Sequence, residues 1–323
     1  MTDAAKTKSK GQRLSLKRSR GWSLGLILSL LAMVGLLAVN TVVVDSKTRP
    51  AEARDGGQIE ETGIVPANVK VEGTGAPIVL IHGFGAALDW WDEIAPALAA
   101  SNCVIRIDLI GHGGTEAPAS GYSIERQASL VSSVLKTQGV DRFILIGHSM
   151  GGEVATALAE ANPERVERLV LIDSPPKPET TFNLGTKLAF TPVIGELISR
   201  FTFDATIRKM LQQGFAPGFP VPEKFVADFK QLTYTAFRSA HDGSVEYRKA
   251  KPLYERLAAL DPVPPLLVIF GSKDALIPAA SAELFKTVPG ARVEIIDGAG
   301  HSPMVEAPAK TLALLTGFLA NRQ

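Results

Sequence analysis

Cysteine and the common metal and nucleotide signatures are nearly absent from this sequence of 323 residues. Its one cysteine, Cys103, cannot form an internal disulfide, and in the apolar run "CVIRIDL" it needs no role beyond packing. No H-E-x-x-H, cysteine cluster or G-x-x-x-x-G-K-S/T phosphate loop occurs. A G-x-G follows the run "PIVLIH", but Leu88 stands where a dinucleotide-binding loop has its third glycine. The sequence therefore predicts neither a metal nor a cofactor.

Charge is also scarce, at 21% of residues, and it is unevenly distributed. Residues 1–21 carry seven lysines or arginines against one aspartate, which gives this arm a charge of about +6. Because the whole chain has a net charge of +1, the rest of it carries about −5. This balance excludes the basic surface that nucleic-acid binding requires, so no nucleic-acid partner is predicted.

A long uncharged run, "GWSLGLILSLLAMVGLLAVNTVVV", follows the basic arm. As a helix, residues 22–44 would be about 34 Å long, enough to cross a hydrocarbon core of about 30 Å. A cleaved signal peptide is the alternative, but its apolar region is usually only about 7–15 residues long. The nearest small-x-small site, at 51–53, lies beyond three charged residues. We therefore predict an uncleaved membrane anchor.

The distribution of basic residues around this run predicts its orientation. Seven positive charges precede the helix, and three occur in the twenty residues after it. This asymmetry places the N-terminus in the cytoplasm and the rest of the chain outside it. The predicted domains are thus a cytoplasmic arm (1–21), a transmembrane helix (22–44), a flexible polar linker (45–65) and a folded domain (66–323).

Short apolar runs alternate with helical patterns through the folded domain. This rhythm predicts a mostly parallel sheet covered by helices on both faces. Roughly ninety residues, 175–262, interrupt it with helical and proline-rich sequence, which is too long for a loop and predicts an inserted subdomain. The candidate strands are 77–82, 103–109, 142–147, 166–173, 265–271 and 292–297.

A serine stands between glycines where one of these strands meets a helical pattern, in "ILIGHSMGGEVATALA". The local pattern around Ser149 is G-x-S-x-G. On a strand-to-helix turn, this pattern is typical of a nucleophile elbow, whose small flanking residues let the backbone bend until the hydroxyl is exposed. A bare G-x-S-x-G is common by chance, so the prediction depends on finding a base and an acid for the serine.

Among the five histidines, His301 fits the role of base best, because it follows the last predicted strand in the glycine-rich loop "DGAGHSP". Asp274, in "GSKDALIP", follows the preceding strand and can orient that histidine. The carboxyl ends of parallel strands share one edge of a sheet, so Ser149, Asp274 and His301 are predicted to meet there. Asp173 ends the strand "RLVLID" and is a rival for the acid.

With these motifs the sequence resembles the α/β-hydrolase family from about residue 67 to the C-terminus. The resemblance rests on "HGFG", "DLIGHGGT", "GHSMGG", "GSKD" and "GAGHSP". It implies an eight-stranded, mostly parallel, doubly wound sheet with a helical cap inserted after strand six, at 175–262. It also implies an oxyanion hole formed by the backbone N–H groups of Phe84 and Met150, whose fixed dipoles would stabilise the charged intermediate.

A serine nucleophile implies acyl transfer, and the expected function is a membrane-anchored serine esterase or lipase acting on a small ester or lipid. Carbon–carbon hydrolases of the family are an alternative, but they typically carry tryptophan after the catalytic histidine, where this chain has Ser302. Perhydrolase-like enzymes and a non-catalytic ligand-binding protein are further alternatives. No oligomeric state follows from the sequence.

Aromatic residues are concentrated in the predicted cap, which holds nine of the fourteen phenylalanines. Two interpretations remain open: an apolar pocket or lid for acyl chains, or the core of a small helical subdomain. Trp90 and Trp91 are expected to pack beneath the loop "HGFG" (82–85), which we call the oxyanion loop because it carries Phe84. The nine phenylalanines are Phe182, Phe190, Phe201, Phe203, Phe215, Phe219, Phe225, Phe229 and Phe237.

Overall fold

The computed structural model describes residues 12–45, 48–178, 188–192 and 194–320, and its centre is an eight-stranded sheet in the order β1-β2-β4-β3-β5-β6-β7-β8. The strands from β3 to β8 run parallel, and β2 pairs antiparallel with both β1 and β4. The predicted fold class is confirmed, and all six candidate strands are present. The strands are β1 (Gln58–Glu61), β2 (Pro66–Glu72), β3 (Ala76–Ile81), β4 (Asn102–Ile107), β5 (Phe143–His148), β6 (Val166–Ile172), β7 (Leu266–Gly271) and β8 (Arg292–Ile296).

Helices cover both faces of the sheet and bury two apolar cores. Successive side chains of a strand point to opposite faces, so Val79 and Ile81 of β3 enter one core while Ile78 and Leu80 enter the other. Strands buried on both faces are mostly apolar, which explains why continuous apolar runs in the sequence predicted them. The covering helices are α2 (Ala95–Ala99), α3 (Ile124–Thr137), α4 (Met150–Ala161), α10 (Pro303–Glu306) and α11 (Pro308–Ala320).

The segment predicted as a flexible linker differs from that prediction. Residues 58–61 form the edge strand β1, and Arg49 makes an isolated bridge to Ala117. The strand reads "QIEE", and its two ends are exposed to solvent. Its polar composition gives no apolar run by which the sequence could have revealed it.

The N-terminal helix α1 (Gln12–Asp45) begins ten residues before the predicted span and continues through the basic residues. Its segment Ser23–Asn40 has a mean hydropathy of 2.2 and is not buried inside the protein. By length and composition this segment is long and apolar enough to cross a membrane, and a signal sequence would have the same properties.

The cap follows β6 and returns to the sheet at β7. Its phenylalanines differ in exposure: Phe215 and Phe225 are buried, whereas Phe201 and Phe203 are 69% and 75% exposed. The others that are described are half-buried: Phe190, Phe219, Phe229 and Phe237. Phe182 lies outside the described residues. The cap helices are α5 (Ile194–Arg200), α6 (Asp204–Leu211), α7 (Glu223–Lys230), α8 (Tyr234–Ala250) and α9 (Leu253–Ala258).

The cap is held on the oxyanion loop side by helix α7. Trp90 lies in a short 3-10 helix, Leu88–Trp91, and stacks on Phe225 of α7 with ring centroids 3.9 Å apart. Lys224 of the same helix pairs with Asp92 at 2.8 Å. Trp90 and Trp91 are both buried, at 5% and 0% exposure, as their predicted packing role requires. Helix α7 is thus fixed to the segment that follows the oxyanion loop.

Candidate active site

Ser149 lies on a sharp turn between β5 and α4. Its backbone angles, φ of 50° and ψ of −119°, lie outside the regions favoured by residues that have a side chain, which is typical of a nucleophile elbow. A Cβ on Gly147 would lie 2.4 Å from the carbonyl oxygen of Gly151, and one on Gly151 would lie 2.2 Å from that of Ile81. Only glycine fits at these two positions, so the G-x-S-x-G spacing has a steric cause.

His301 and Asp274 come together beyond the ends of β8 and β7. His301 Nδ1 lies 2.7 Å from Asp274 Oδ2, and both side chains are largely buried. The His301 ring lies 5.0 Å from that of His148, the residue before Ser149, measured between centroids. Because Nδ1 is engaged by the carboxylate, the other ring nitrogen, Nε2, is the one available to a nucleophile.

The Asp274 carboxylate is stabilised in its charged form. Its Oδ1 accepts hydrogen bonds from the backbone N–H groups of Leu276 at 2.7 Å and Ile277 at 2.9 Å. Burial acts to raise the pKa of Asp274, but the charge and hydrogen bond of His301 outweigh it, and the pKa is lowered. A carboxylate that remains charged can fix the tautomer of His301 and stabilise its protonated form.

Asp173, the rival acid, lies in contact with this pair. The carboxylate oxygens of the two aspartates and a ring nitrogen of His301 lie within 4.8 Å of one another. Asp173 Oδ1 accepts a hydrogen bond from Gly271 N at 3.0 Å. Complete burial, followed by the negative charge of Asp274, raises the pKa of Asp173 well above its usual range. The pKa values of the two neighbouring carboxyls are thus shifted in opposite directions, which favours the neutral form of Asp173 and the charged form of Asp274.

The loop "HGFG" lies against the elbow. A Cβ on Gly83 would lie 3.1 Å from Ser149 Cβ, so the backbone of this loop approaches the serine closely. Gly85 has a φ of 74°, which glycine tolerates, and places the loop 2.9 Å (from its ideal Cβ) from the ring of Phe229 in the cap. Met150 is the first residue of α4, where backbone N–H groups point out of the helix. Met150 thus follows Ser149 directly, and Phe84 follows the glycine that approaches it.

His82 positions the oxyanion loop rather than taking part in proton transfer. Its Nε2 accepts a hydrogen bond from Leu109 N at 3.0 Å, so its Nδ1 carries the proton and donates to the carbonyl oxygen of Gly83 at 2.8 Å. Burial, together with the nearby His112, lowers the pKa of His82 well below its usual range. A neutral His82 therefore holds the loop.

Two further residues support the His301 loop, and their roles were not found from the sequence. His148 Nε2 donates to the carbonyl oxygen of His301 at 2.7 Å, and burial, followed by the charge of His301, lowers the pKa of His148 to about 3. Glu306 accepts from the backbone N–H groups of Gly300 at 3.0 Å and Ser302 at 3.1 Å. His148 in "GHS" and Glu306 in "PMVE" are visible in the sequence, but their hydrogen bonds to the His301 loop depend on how separate loops fold together.

Two acidic groups have a composition that could hold a cation: Asp173 with Asp274 and His301, and Asp55 with Asp89 and Asp228. In the first, the 2.7 Å separation of His301 Nδ1 and Asp274 Oδ2 is that of a hydrogen bond, which accounts for the close approach. In the second, burial, followed by the charge of Asp89, raises the pKa of Asp228 to about 8. A proton on Asp228 explains how these carboxyls lie so close.

A doubly wound sheet that presents a serine elbow, a histidine and an aspartate beyond the ends of its strands defines a hydrolase of the α/β class. The chain belongs to the alpha/beta hydrolase family, whose model matches residues 78–314. It is 27% identical over 263 residues to an uncharacterized protein of Mycobacterium tuberculosis (strain ATCC 25618 / H37Rv), over 77% of each chain.

Two further similarities extend over most of the chain. A 2-hydroxymuconate semialdehyde hydrolase of Pseudomonas putida is 29% identical over 275 residues, covering 78% of this chain and 90% of that protein. The crystal structure of a hydrolase from Pseudomonas aeruginosa PA01 has a TM-score of 0.69 at 26% identity, over 83% of this chain and 99% of its own. Both of these proteins are named as hydrolases, and the solved structure shares the fold of this chain.

Proposed function

We propose that the protein is a membrane-anchored serine hydrolase that cleaves carboxylic esters of apolar acyl chains through an acyl-enzyme. One observation carries the proposal: the 2.7 Å pairing of His301 Nδ1 with Asp274 Oδ2, next to a serine on a strained elbow. This pairing leaves His301 Nε2 as the base for the Ser149 hydroxyl. The membrane anchor is α1, with the catalytic domain outside the cytoplasm.

In the proposed mechanism, Ser149 Oγ attacks the ester carbonyl while its proton passes to His301 Nε2. Asp274 keeps the imidazole oriented and stabilises the imidazolium. The negative charge on the carbonyl oxygen is stabilised by the N–H groups of Phe84 and Met150. His301 then protonates the leaving alcohol as the carbon–oxygen bond breaks. A water molecule, deprotonated by the same nitrogen, releases the acid from Ser149 by the reverse sequence.

A fluorophosphonate probe and a panel of nitrophenyl esters of increasing chain length test this proposal. Wild-type protein should be labelled once and should turn over esters, whereas Ser149→Ala should lose labelling and about 10⁶-fold in turnover. Ser302→Ala is the matched control, because this buried serine lies next to His301 but has no proposed role in the chemistry. Unchanged turnover in Ser149→Ala would refute the assignment of Ser149 as the nucleophile.

The anchor has its own test, which does not depend on activity. Full-length protein should stay with membranes after carbonate or high-salt washing, because about 20 buried apolar residues do not detach electrostatically. Its catalytic domain should be digested by protease added outside intact cells. A mature protein beginning near residue 54 would indicate a cleaved signal sequence and contradict the anchor.

Carbon–carbon bond hydrolysis is the second candidate function. It is favoured by the similarity to the 2-hydroxymuconate semialdehyde hydrolase of Pseudomonas putida. Ser302 follows His301 here, where such enzymes typically carry tryptophan, and this departure favours esters. Assay with a vinylogous 1,5-diketone separates the two functions, since rapid loss of its dienol absorbance without ester turnover would support the second.

A further inference from the structure

The outer end of the α1 apolar segment is attached to the cap. Asn40, its last residue, donates a hydrogen bond from Nδ2 to Glu196 Oε2 at 3.0 Å. Glu196 belongs to cap helix α5, is only 1% exposed, and also pairs with Arg200. Helix α1 packs against cap helix α8 as well. If α1 spans the membrane, α5 therefore lies at the level where the hydrocarbon core ends.

Helix α5 presents an apolar stripe to the outside of the protein. Apolar residues at 194, 197, 198 and 201 have the spacing i, i+3, i+4 and i+7, which places their side chains on one helical face. Phe203 and Met210 extend this apolar surface onto α6. We call these residues the cap patch: Ile194, Leu197, Ile198, Phe201, Phe203 and Met210, which are 36–75% exposed. Single exposed apolar residues are ordinary, but a helical stripe of them marks an interaction surface.

A cavity of about 460 Å³ lies behind the cap patch. Ile198 and Met210 belong to both the patch and the cavity wall, whereas Phe201 and Phe203 do not line the cavity. Its size is in the range of about 300–1,000 Å³ that is usual for sites of small apolar ligands. The cavity thus opens at the same face of the cap as the exposed stripe.

The inner side of this cavity reaches the oxyanion loop. Phe229 and Phe237 line the cavity. The ring of Phe237 lies 5.4 Å from that of Phe84, and a Cβ on Gly85 would lie 2.9 Å from the ring of Phe229. An apolar chain occupying the cavity would therefore end against the phenylalanines that pack on the loop carrying Phe84.

We propose that the cap patch inserts into the outer membrane surface and that the cavity behind it receives the acyl chain of a lipid ester directly from the bilayer. The occupant is a lipid surface rather than a protein, because the membrane helix itself is hydrogen-bonded to the helix that carries the patch. This proposal deepens the proposed esterase function and rests on it for the substrate. The insertion itself can be tested without any substrate.

Insertion is tested by placing an environment-sensitive fluorophore at a single cysteine. Full-length Cys103→Ala protein carrying Phe203→Cys is labelled with a nitrobenzoxadiazole probe and reconstituted into phosphatidylcholine vesicles. Asp141→Cys is the control, because residue 141 precedes β5, whereas Ser149 follows it. The six residues of this strand separate the two positions by about 20 Å. We expect a blue shift and quenching by doxyl lipids at 203 but not at 141. Equal behaviour at both positions would overturn the insertion.

Substrate delivery is tested by comparing two esters in the same vesicles. Phe201→Ser with Phe203→Ser should lower turnover of a vesicle-borne long-chain ester at least tenfold and that of water-soluble nitrophenyl butyrate less than twofold. The matched control, Val71→Ser with Ile295→Ser, removes two exposed apolar residues from the sheet and should change both rates less than twofold. An equal loss for both esters, or no loss for either, would refute delivery from the bilayer.

These measurements separate the docking proposal from the hydrolase proposal. Wild-type protein that hydrolyses neither ester would contradict the proposed function, and with it the delivery step. Fluorophore quenching at residue 203 would still support insertion in that case. A protein that hydrolyses both esters but shows no quenching would retain the esterase function and refute membrane docking.

Discussion

The two neighbouring carboxyls give the sharpest prediction, because their pKa values are shifted in opposite directions. Asp274→Asn should lower kcat for nitrophenyl esters by at least about 10³-fold, as loss of the acid in such a triad costs about 10⁴-fold. In the Asp274→Asn variant, an amide would replace a carboxylate that accepts hydrogen bonds from His301 Nδ1 and from two backbone N–H groups. An amide nitrogen facing Nδ1 would favour the wrong histidine tautomer.

Asp173→Asn should lower kcat less than tenfold. Because burial favours the neutral form of Asp173, asparagine would preserve its shape and its role as an acceptor for Gly271 N, and it would add no charge. The expected ratio between the two variants is therefore at least about 100. At about 1.4 kcal/mol for each factor of ten, this corresponds to about 2.8 kcal/mol of transition-state stabilisation.

The assay is steady-state kinetics on detergent-solubilised full-length protein, with the fold of both variants checked by circular dichroism. A larger loss in Asp173→Asn, with both variants folded, would refute the reasoning and move the acid to Asp173.

Two further predictions concern stability. The raised pKa of Asp173 in the folded protein means that its contribution to stability is lost as pH rises above the ordinary aspartate pKa of about 4. Urea unfolding should therefore show Asp173→Asn gaining stability relative to the wild type between pH 4 and 7, and an equal difference at both pH values would contradict this. Gly151→Ala should lower the unfolding free energy by at least about 2 kcal/mol, since its Cβ would overlap the Ile81 carbonyl. Gly317→Ala, in α11 with open space around it, should instead stabilise by about 0.5–1 kcal/mol, and similar effects of both changes would refute the steric argument.

The sheet was predictable where its strands are buried on both faces. Strands β3, β5 and β7 appear in the sequence as apolar runs, because residues 78–81 of β3 and all of β5 and β7 are buried. Strand β1 escaped prediction for the opposite reason: it is a polar edge strand whose pairing with β2 depends on the position of the rest of the sheet. Edge strands need only backbone partners, which leave little trace in composition.

The candidate site was predictable at the residues that sit on special backbone. Ser149 could be found because its turn requires glycine two positions away on each side. The raised pKa of Asp173 could not be predicted, since it results from burial next to a second carboxylate that is distant in sequence. The same holds for His148 and Glu306, whose hydrogen bonds join loops from separate strands.

The left-handed backbone at Ser149 places activity and conformational stability in opposition at a single position. A φ of 50° strains any residue with a Cβ, and glycine alone adopts it without penalty. Replacing the serine by glycine would therefore relax the turn and remove the nucleophile in one step, giving an inactive protein that resists unfolding better than the active one. Directed evolution that selects only for heat resistance would favour this substitution, so any such screen on this protein must retain a test of turnover.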